Sequence, residues 1–195
     1  APGELLALVG PSGSGKSTLL HLVAGMDRPD SGRVEVAGVD LAALGDGELT
    51  RWRARHVGFV FQQNQLVPVL DAAANVALHP PLHRLPGAAR LRRVATALPV
   101  VCPEDRARYL PRQLSGGQEQ RVAVARAIVT NPDVVLADEP TGSLDERNAR
   151  DVLGLLRTLA VELGKTVILV THDPRAAEFA TRQVVLRKGS VEEVP

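Results

Sequence analysis

The chain has 195 residues, 45% of them hydrophobic, enough for one domain with a sizeable core. With 23 basic and 22 acidic residues the net charge is +1, without the basic excess of a duplex nucleic-acid binder, so no nucleic-acid partner is expected. The single cysteine, Cys102, excludes an internal disulfide and reads as a buried, inert thiol, and no apolar run reaches the roughly 18 residues of a membrane-spanning helix.

In chain order, Leu5 to Val9 reads as a short buried strand that runs straight into a glycine loop, which sets it apart from a signal peptide. A helix is expected from about Lys16 to Gly25. Arg33 to Val39 alternates through Val34, Val36 and Val39 and reads as a half-buried strand, with Gly38 in a turn. His56 to Phe61 is another short strand. Residues from about 71 to 112, rich in Ala, Leu and Arg and punctuated by prolines, read as a helical insert. A helix from Gly117 to Thr130 is stopped by Asn131-Pro132. Val134 to Ala137 and Thr166 to Val170 are bare apolar runs, as expected of parallel strands buried on both faces, with a helix from Glu146 to Leu163 between them. The alternation points to an α/β domain with a mainly parallel sheet.

Gly10-Pro11-Ser12-Gly13-Ser14-Gly15-Lys16-Ser17 matches the phosphate-loop pattern G-x-x-x-x-G-K-[ST] in full, between a predicted strand and a predicted helix, with Thr18 next. Glycines let the backbone curl its N–H groups toward phosphate oxygens, and the helix N-terminus adds positive partial charge. Lys16 is expected to reach the β- and γ-phosphates and Ser17 to ligate Mg²⁺. A glycine-rich turn with a chance lysine is the bland alternative. The motif alone says nucleoside triphosphate and does not separate kinase, GTPase and ATPase.

Val134 to Ala137 ends in Asp138-Glu139. A strand beside the phosphate-loop strand would deliver Asp138 to the Mg²⁺ shell, and Glu139 would polarise the attacking water. The bland alternative is an acid capping the turn at Pro140. Leu114-Ser115-Gly116-Gly117-Gln118 opens the next predicted helix and makes a second anion site, with the Ser115 hydroxyl as donor. Two loops that each open their own helix cannot wrap one γ-phosphate in a single copy of the fold. Two facing copies can, each nucleotide lying between one chain's phosphate loop and the other's Ser115 loop. Standing alone, Ser115 would be an ordinary helix cap.

Taken together, these segments resemble an ABC transporter ATP-binding domain over essentially the whole chain. Leu114 to Gln118, with Glu119 to Ala127 after it, is very close to that family's signature helix. Asp138 to Asp145 is similar to its acidic strand end and D-loop, Val170-Thr171-His172-Asp173 to its switch histidine, and Phe61-Gln62 to its Q-loop. The resemblance implies a P-loop NTPase with a mainly parallel central sheet, a small antiparallel part, and a helical subdomain inserted at about 65–130 in a single domain spanning 1–195. It implies Gln62, with Gln63 as fallback, at the end of a strand and touching both Mg²⁺ and water. His172 would bond the γ-phosphate, and Asp145 would lie at the seam of a head-to-tail homodimer. Gln65 to Leu70 with Asn75 to Leu78, and Ala24 to Gly32, resemble the branch of lipoprotein-release, macrolide-export and cell-division ATPases, with departures at Asp71 and Ala74.

The implied function is an ATP-hydrolysing subunit, cytoplasmic and peripheral on the inner face of the plasma membrane, that powers a transmembrane permease. The alternative is a non-transport ABC ATPase in cell-division signalling, DNA repair or translation. Family members also carry an antiparallel segment with an adenine-stacking aromatic before the phosphate loop. None of the nine residues ahead of Gly10 is aromatic, so the sequence as it stands is expected to bind ATP more weakly, by about 1–3 kcal/mol. The Arg51-Trp52-Arg53-Ala54-Arg55 run and Arg84, Arg90, Arg92 and Arg93 read as solvated helix faces, and the other histidines are too scattered for a metal site.

Overall fold

The computed structural model describes residues 2–101 and 106–193, so the expectation for Cys102 lies outside the described residues. Six strands form the main sheet in the order β4 (Val57–Val60), β5 (Val134–Asp138), β6 (Thr166–Thr171), β1 (Leu5–Val9), β7 (Arg182–Arg187), β8 (Ser190–Glu193). All pairs are parallel except the final β7–β8 hairpin. The bare apolar runs alternate between two cores. Val135 and Ala137 of β5 join Leu5, Val167 and Leu169 on one face, whereas Val134 and Leu136 join Leu8 and Val170 on the other. Both faces are covered, which explains why the middles of these strands are apolar throughout.

On one side pack α1 (Lys16–Val23) and α2 (Asp46–His56), with the hairpin β2 (Glu35–Val36) and β3 (Val39–Asp40) completing that cluster. On the other lie α3 (Ala72–Ala77), α4 (Gly87–Val101), α5 (Gly116–Ile128) and α6 (Glu146–Val161), with the short α7 (Pro174–Ala177) leading into β7.

Several expectations need correction. β5 is not beside the phosphate-loop strand, because β6 lies between them. The single strand expected at Arg33–Val39 is two short strands, since Ala37 and Gly38 both take positive φ and turn the chain back into a hairpin. β4 ends at Val60, so Gln62 sits two residues beyond the strand rather than at its end. The 71–112 stretch is helical as expected, with a 3-10 segment at Pro80–Arg84 between α3 and α4 and another at Pro111–Gln113. The Arg51 to Arg55 run lies on α2, where Trp52 is buried and Arg51 and Arg55 face out, consistent with the expected helix.

Strand register positions the chemistry. Val9 is opposite Thr171, Asp138 opposite Val170 and Val60 opposite Ala137. The residues that follow β1, β5, β6 and β4 therefore emerge together at the carboxyl edge of the parallel sheet, where open α/β sheets bind ligands.

Candidate active site

A cavity of about 800 Å³ opens at that edge. It is lined by Pro11, Ser12, Gly13, Gly15, Lys16, Ser17 and Thr18 from the loop and first turn of α1, by Gln62, by Asp138 and Glu139, and by Val170 and His172. Gly10 and Ser14 belong to the loop without lining the cavity. Four segments far apart in sequence thus meet as anticipated, even though the strand order differs from the expected one. Asp138 needs no adjacency to β1, because β6 carries both neighbours into register.

The phosphate loop enters α1 through Gly15, at φ 97°, a backbone conformation that side chains beyond glycine rarely take. α1 has no side-chain cap, so its first N–H groups stay open at the cavity wall. Lys16 is only 8% exposed, and its Nζ donates to Gly10 O and Pro11 O, both at 2.9 Å. The loop's own carbonyls hold two of the three ammonium donors, and the third is left for an anion.

Glu139 sits one residue past β5 with φ 47°, in the left-handed region. Its N–H donates to Val170 O, which fixes the turn against β6. Its carboxylate is met from two sides. His172 Nδ1 lies 2.6 Å from Oε1, and Thr171 Oγ1 donates toward Oε2 at 3.4 Å. Thr171, 1% exposed, also accepts from the N–H of Asp173. Asp173 caps α7, and its carboxyl is held below the usual range chiefly by hydrogen bonds from the Arg175 guanidinium and backbone. His172 is therefore mounted one residue past β6, between the buried Thr171 and the capping Asp173. Gln62 is exposed, borders the same cavity and packs its amide beside Gly142. Gln63 is not among the residues lining the cavity.

Ser17, Asp138 and Gln62 offer a hydroxyl, one carboxylate and an amide oxygen to this space. That all-oxygen set with a single acid fits Mg²⁺, a hard cation that keeps several waters and takes one or two carboxylates plus substrate phosphates. Among the described residues no group of three or more His, Cys, Asp and Glu could cage a metal alone.

The Ser115 loop lies elsewhere: none of Ser115 to Gln118 is among the residues lining the cavity. Ser115 is the cap of α5 in a reciprocal box, its Oγ accepting from Gln118 N at 3.3 Å and its N–H donating to Gln118 Oε1 at 2.9 Å. The helix-cap reading of Ser115 is what the structure shows, and a hydroxyl that accepts from the backbone still has its proton to donate. Asp145 is also a cap. It accepts from Asn148 N at 2.9 Å and Asn148 Nδ2 at 2.7 Å, and those bonds hold its carboxyl below the usual range. Asn148 in turn fills the space over Gly117, where any Cβ would overlap its amide, so the D-loop and the Ser115 loop touch within one chain.

A family model described as ABC transporter matches residues 1–142. The macrolide export ATP-binding/permease protein MacB of Rhodopseudomonas palustris is 46% identical over 190 residues, which is 97% of this chain and 29% of that protein. The uncharacterized ABC transporter ATP-binding protein MJ0796 of Methanocaldococcus jannaschii is 45% identical over 195 residues, covering 97% of this chain and 83% of that one. The dimeric structure of MJ0796 in a post-hydrolysis state, bound to ADP and Pi, superposes with a TM-score of 0.86 at 41% identity, over 100% of this chain and 87% of the other.

The chain belongs to the ABC transporter family. It is an ABC-type ATPase with the mixed α/β cassette fold of its relatives. Within this cassette, reading the motifs alone missed the side chains that hold the site from behind. Asn75 is fully buried, and its amide bonds Val67 O, Leu70 O, Asp71 O and Val67 N, shaping the loop after Gln62. Asp71, a departure from the branch pattern, caps α3 by accepting from Ala74 N at 2.7 Å. Gln120 and Arg126 bond the Gln62 segment from α5. A buried Asn or Gln within an apolar helix pattern was the available signal.

Proposed function

We propose that the cassette is the ATP-hydrolysing subunit of a transporter and works as a head-to-tail pair on a membrane permease. The observation that carries this reading is a division of the chemistry. The phosphate loop, Asp138, Glu139, Gln62 and His172 share one cavity, whereas the second anion-binding loop at Ser115 stands outside it with its helix N-terminus exposed.

In this reading the phosphate loop, Gly10 to Ser17 with Thr18, holds the ATP phosphates, and Lys16 neutralises the β- and γ-oxygens. Ser17, Asp138 and Gln62 hold Mg²⁺, which supplies charge neutralisation for the developing phosphate oxygens. Glu139 takes the proton of the attacking water, with His172 fixing the carboxylate that does so. Ser115, Gly116, Gly117 and Gln118 of the second copy close over the γ-phosphate, and Asp145 lies at the seam. Residues 1–195 act as one nucleotide-binding domain, in which the helical part at about 65–130 meets the permease. The working place is the cytoplasmic, inner face of the plasma membrane.

The permease half of the reading draws support from MacB, whose name joins ATP-binding and permease functions in one protein, and this also favours transport over a repair or translation role. Among the described residues no helix is long and apolar enough to cross a membrane.

Complementation tests the pairing. A Lys16→Ala chain and a Ser115→Arg chain are each expected to be inactive. Mixed, they form one intact composite site per heterodimer, from the good phosphate loop of one and the good Ser115 loop of the other, and activity returns. A mixture as dead as its components would overturn the head-to-tail arrangement.

A further inference from the structure

The segment that carries Gln62 has no regular secondary structure, yet three of its residues are tied to α5. Gln120 Nε2 donates to Phe61 O at 2.9 Å. Arg126 spreads its guanidinium across two successive carbonyls, Nη2 to Asn64 O at 2.8 Å and Nη1 to Gln65 O at 2.9 Å. Asn64 Nδ2 donates to Glu119 Oε2 at 2.6 Å. These are specific bonds. Gln120 is 1% exposed, so its amide needs a partner. Arg126 bridges two carbonyls from two separate nitrogens of its planar fork, a spread that a single lysine ammonium does not reproduce at this site. Burial lowers the pKa of Arg126, though an arginine still stays charged.

The bonds fall on both sides of Gln62 and leave Gln62 and Gln63 outside the tether. Glu119 and Gln120 stand about one helical turn after Ser115, on a continuous helix that begins at Gly116. The same rigid element thus carries the Ser115 loop at its start and grips the Gln62 segment along its side.

We propose that Asn64, Glu119, Gln120 and Arg126 are positioning residues for ATP hydrolysis, clamping the Gln62 segment to the Ser115 helix so that the two phosphate-facing loops shift as one body. The clamp deepens the paired-cassette reading and rests on it for the role of Ser115. A displacement of one contact is transmitted to the other chain's site through the Glu119–Asn64, Gln120–Phe61 and Arg126–Asn64/Gln65 bonds.

Asn64→Asp sets two carboxylates against each other where an amide met a carboxylate. Asn64→Asp/Glu119→Gln restores the pair with its donor and acceptor exchanged. The single variant is expected to lose about tenfold in kcat, because small misplacements of positioning groups cost rate. Affinity for a fluorescent ATP analogue should stay within about twofold, since the phosphate loop is untouched. The double variant is expected to recover to within about threefold of the parent, the signature of a direct pair.

A single variant with parental kcat, or a loss that the second change leaves unrepaired, overturns the clamp. If Asn64→Asp fails to fold, Arg126→Lys decides instead: it keeps the charge but not the fork, and a parental kcat there is equally fatal. The pairing is checked separately by chromatography with ATP on Glu139→Gln chains, with and without Asn64→Asp. No dimer from Glu139→Gln alone defeats the paired reading, while the kcat rescue still judges the clamp. A dimer equally tight in both defeats the shared motion.

Discussion

His172 Nδ1 and Glu139 Oε1 face each other at 2.6 Å, and the two residues reach that contact from the ends of adjacent parallel strands. An ionised carboxylate only accepts, so the ring form that fits this contact is one with a proton on Nδ1. In the proposed reading His172 orients the carboxylate, and its second ring nitrogen is left to meet the attacking water. Glu139→Gln is expected to keep ATP binding and lose on the order of 10²–10⁴-fold in kcat, the range for a removed general base. His172→Ala should lose less, because Thr171 still holds Oε2. Single-turnover hydrolysis beside nucleotide binding checks both, and a Glu139→Gln chain with near-parental turnover would remove Glu139 from the base role.

Lys16 makes a different test, since its effect belongs to binding. Its ammonium is anchored by Gly10 O and Pro11 O and pre-aimed along the loop. Hydrogen bonds to charged groups contribute about 1.5–3 kcal/mol each. Lys16→Ala is expected to weaken ATP binding by roughly 10²-fold, about 2.7 kcal/mol, as read by titration with a fluorescent analogue. The variant should keep its fold, because the remaining loop bonds, such as Ser14 N to Pro11 O, are backbone.

The central strands were legible in the sequence because burial on both faces writes itself as unbroken apolar runs, as in Val134 to Ala137. The phosphate loop and the Ser115 cap were legible because their chemistry is local. The order of parallel strands was not, since each strand encodes its burial but not its neighbour, and β6 took the place beside β1 assigned to β5. The β7–β8 hairpin escaped notice although Lys188 and Gly189 both take positive φ at its turn, the kind of pair that marks a hairpin. The grip of Arg126 and Gln120 on the Gln62 segment links positions about 60 residues apart, and nothing in local spacing encodes such a contact.

Asp145 gives a prediction with a defined sign in pH. Its folded pKa is depressed by the Asn148 bonds, so its contribution is complete above the ordinary carboxylate range and disappears as pH falls through the lowered value. Asp145→Ala is expected to lower the melting temperature at neutral pH, with the gap to the parent closing on acidification below about pH 4. Thermal unfolding at a series of pH values reads this directly; a gap that persists unchanged into strong acid would show that the carboxylate charge is irrelevant to the cap.

Gly117→Ala probes the junction between the two loops of one chain. The new Cβ would overlap Asn148, which is itself bound to Asp145. Overpacking of this kind costs about 1–3 kcal/mol, and the displaced Asn148 also releases the D-loop cap. Chemical denaturation should show the loss. Hydrolysis should fall further than stability alone accounts for, while ATP binding to the phosphate loop holds; equal loss of binding and turnover would argue against a specific D-loop effect.

His79 supplies the acid limit of the fold. Burial, and then the Arg126 charge, lower its pKa, and its Nδ1 is buried without a hydrogen-bond partner. The unfolded chain therefore binds a proton at His79 over a pH window in which the folded chain does not. That window opens below about pH 6.5 and extends down to the lowered folded value. Stability is expected to drop as pH falls through it, and His79→Leu should flatten the slope by removing the proton that only the unfolded chain takes up. Because folded His79 stays neutral across that window, Arg126 and its grip on the Gln62 segment are undisturbed, and kcat per folded molecule should not follow the stability slope. Denaturation midpoints and kcat at pH 7.5, 6.5 and 5.5 in both chains check the pair, and an unchanged stability slope in His79→Leu would assign the acid sensitivity to another group.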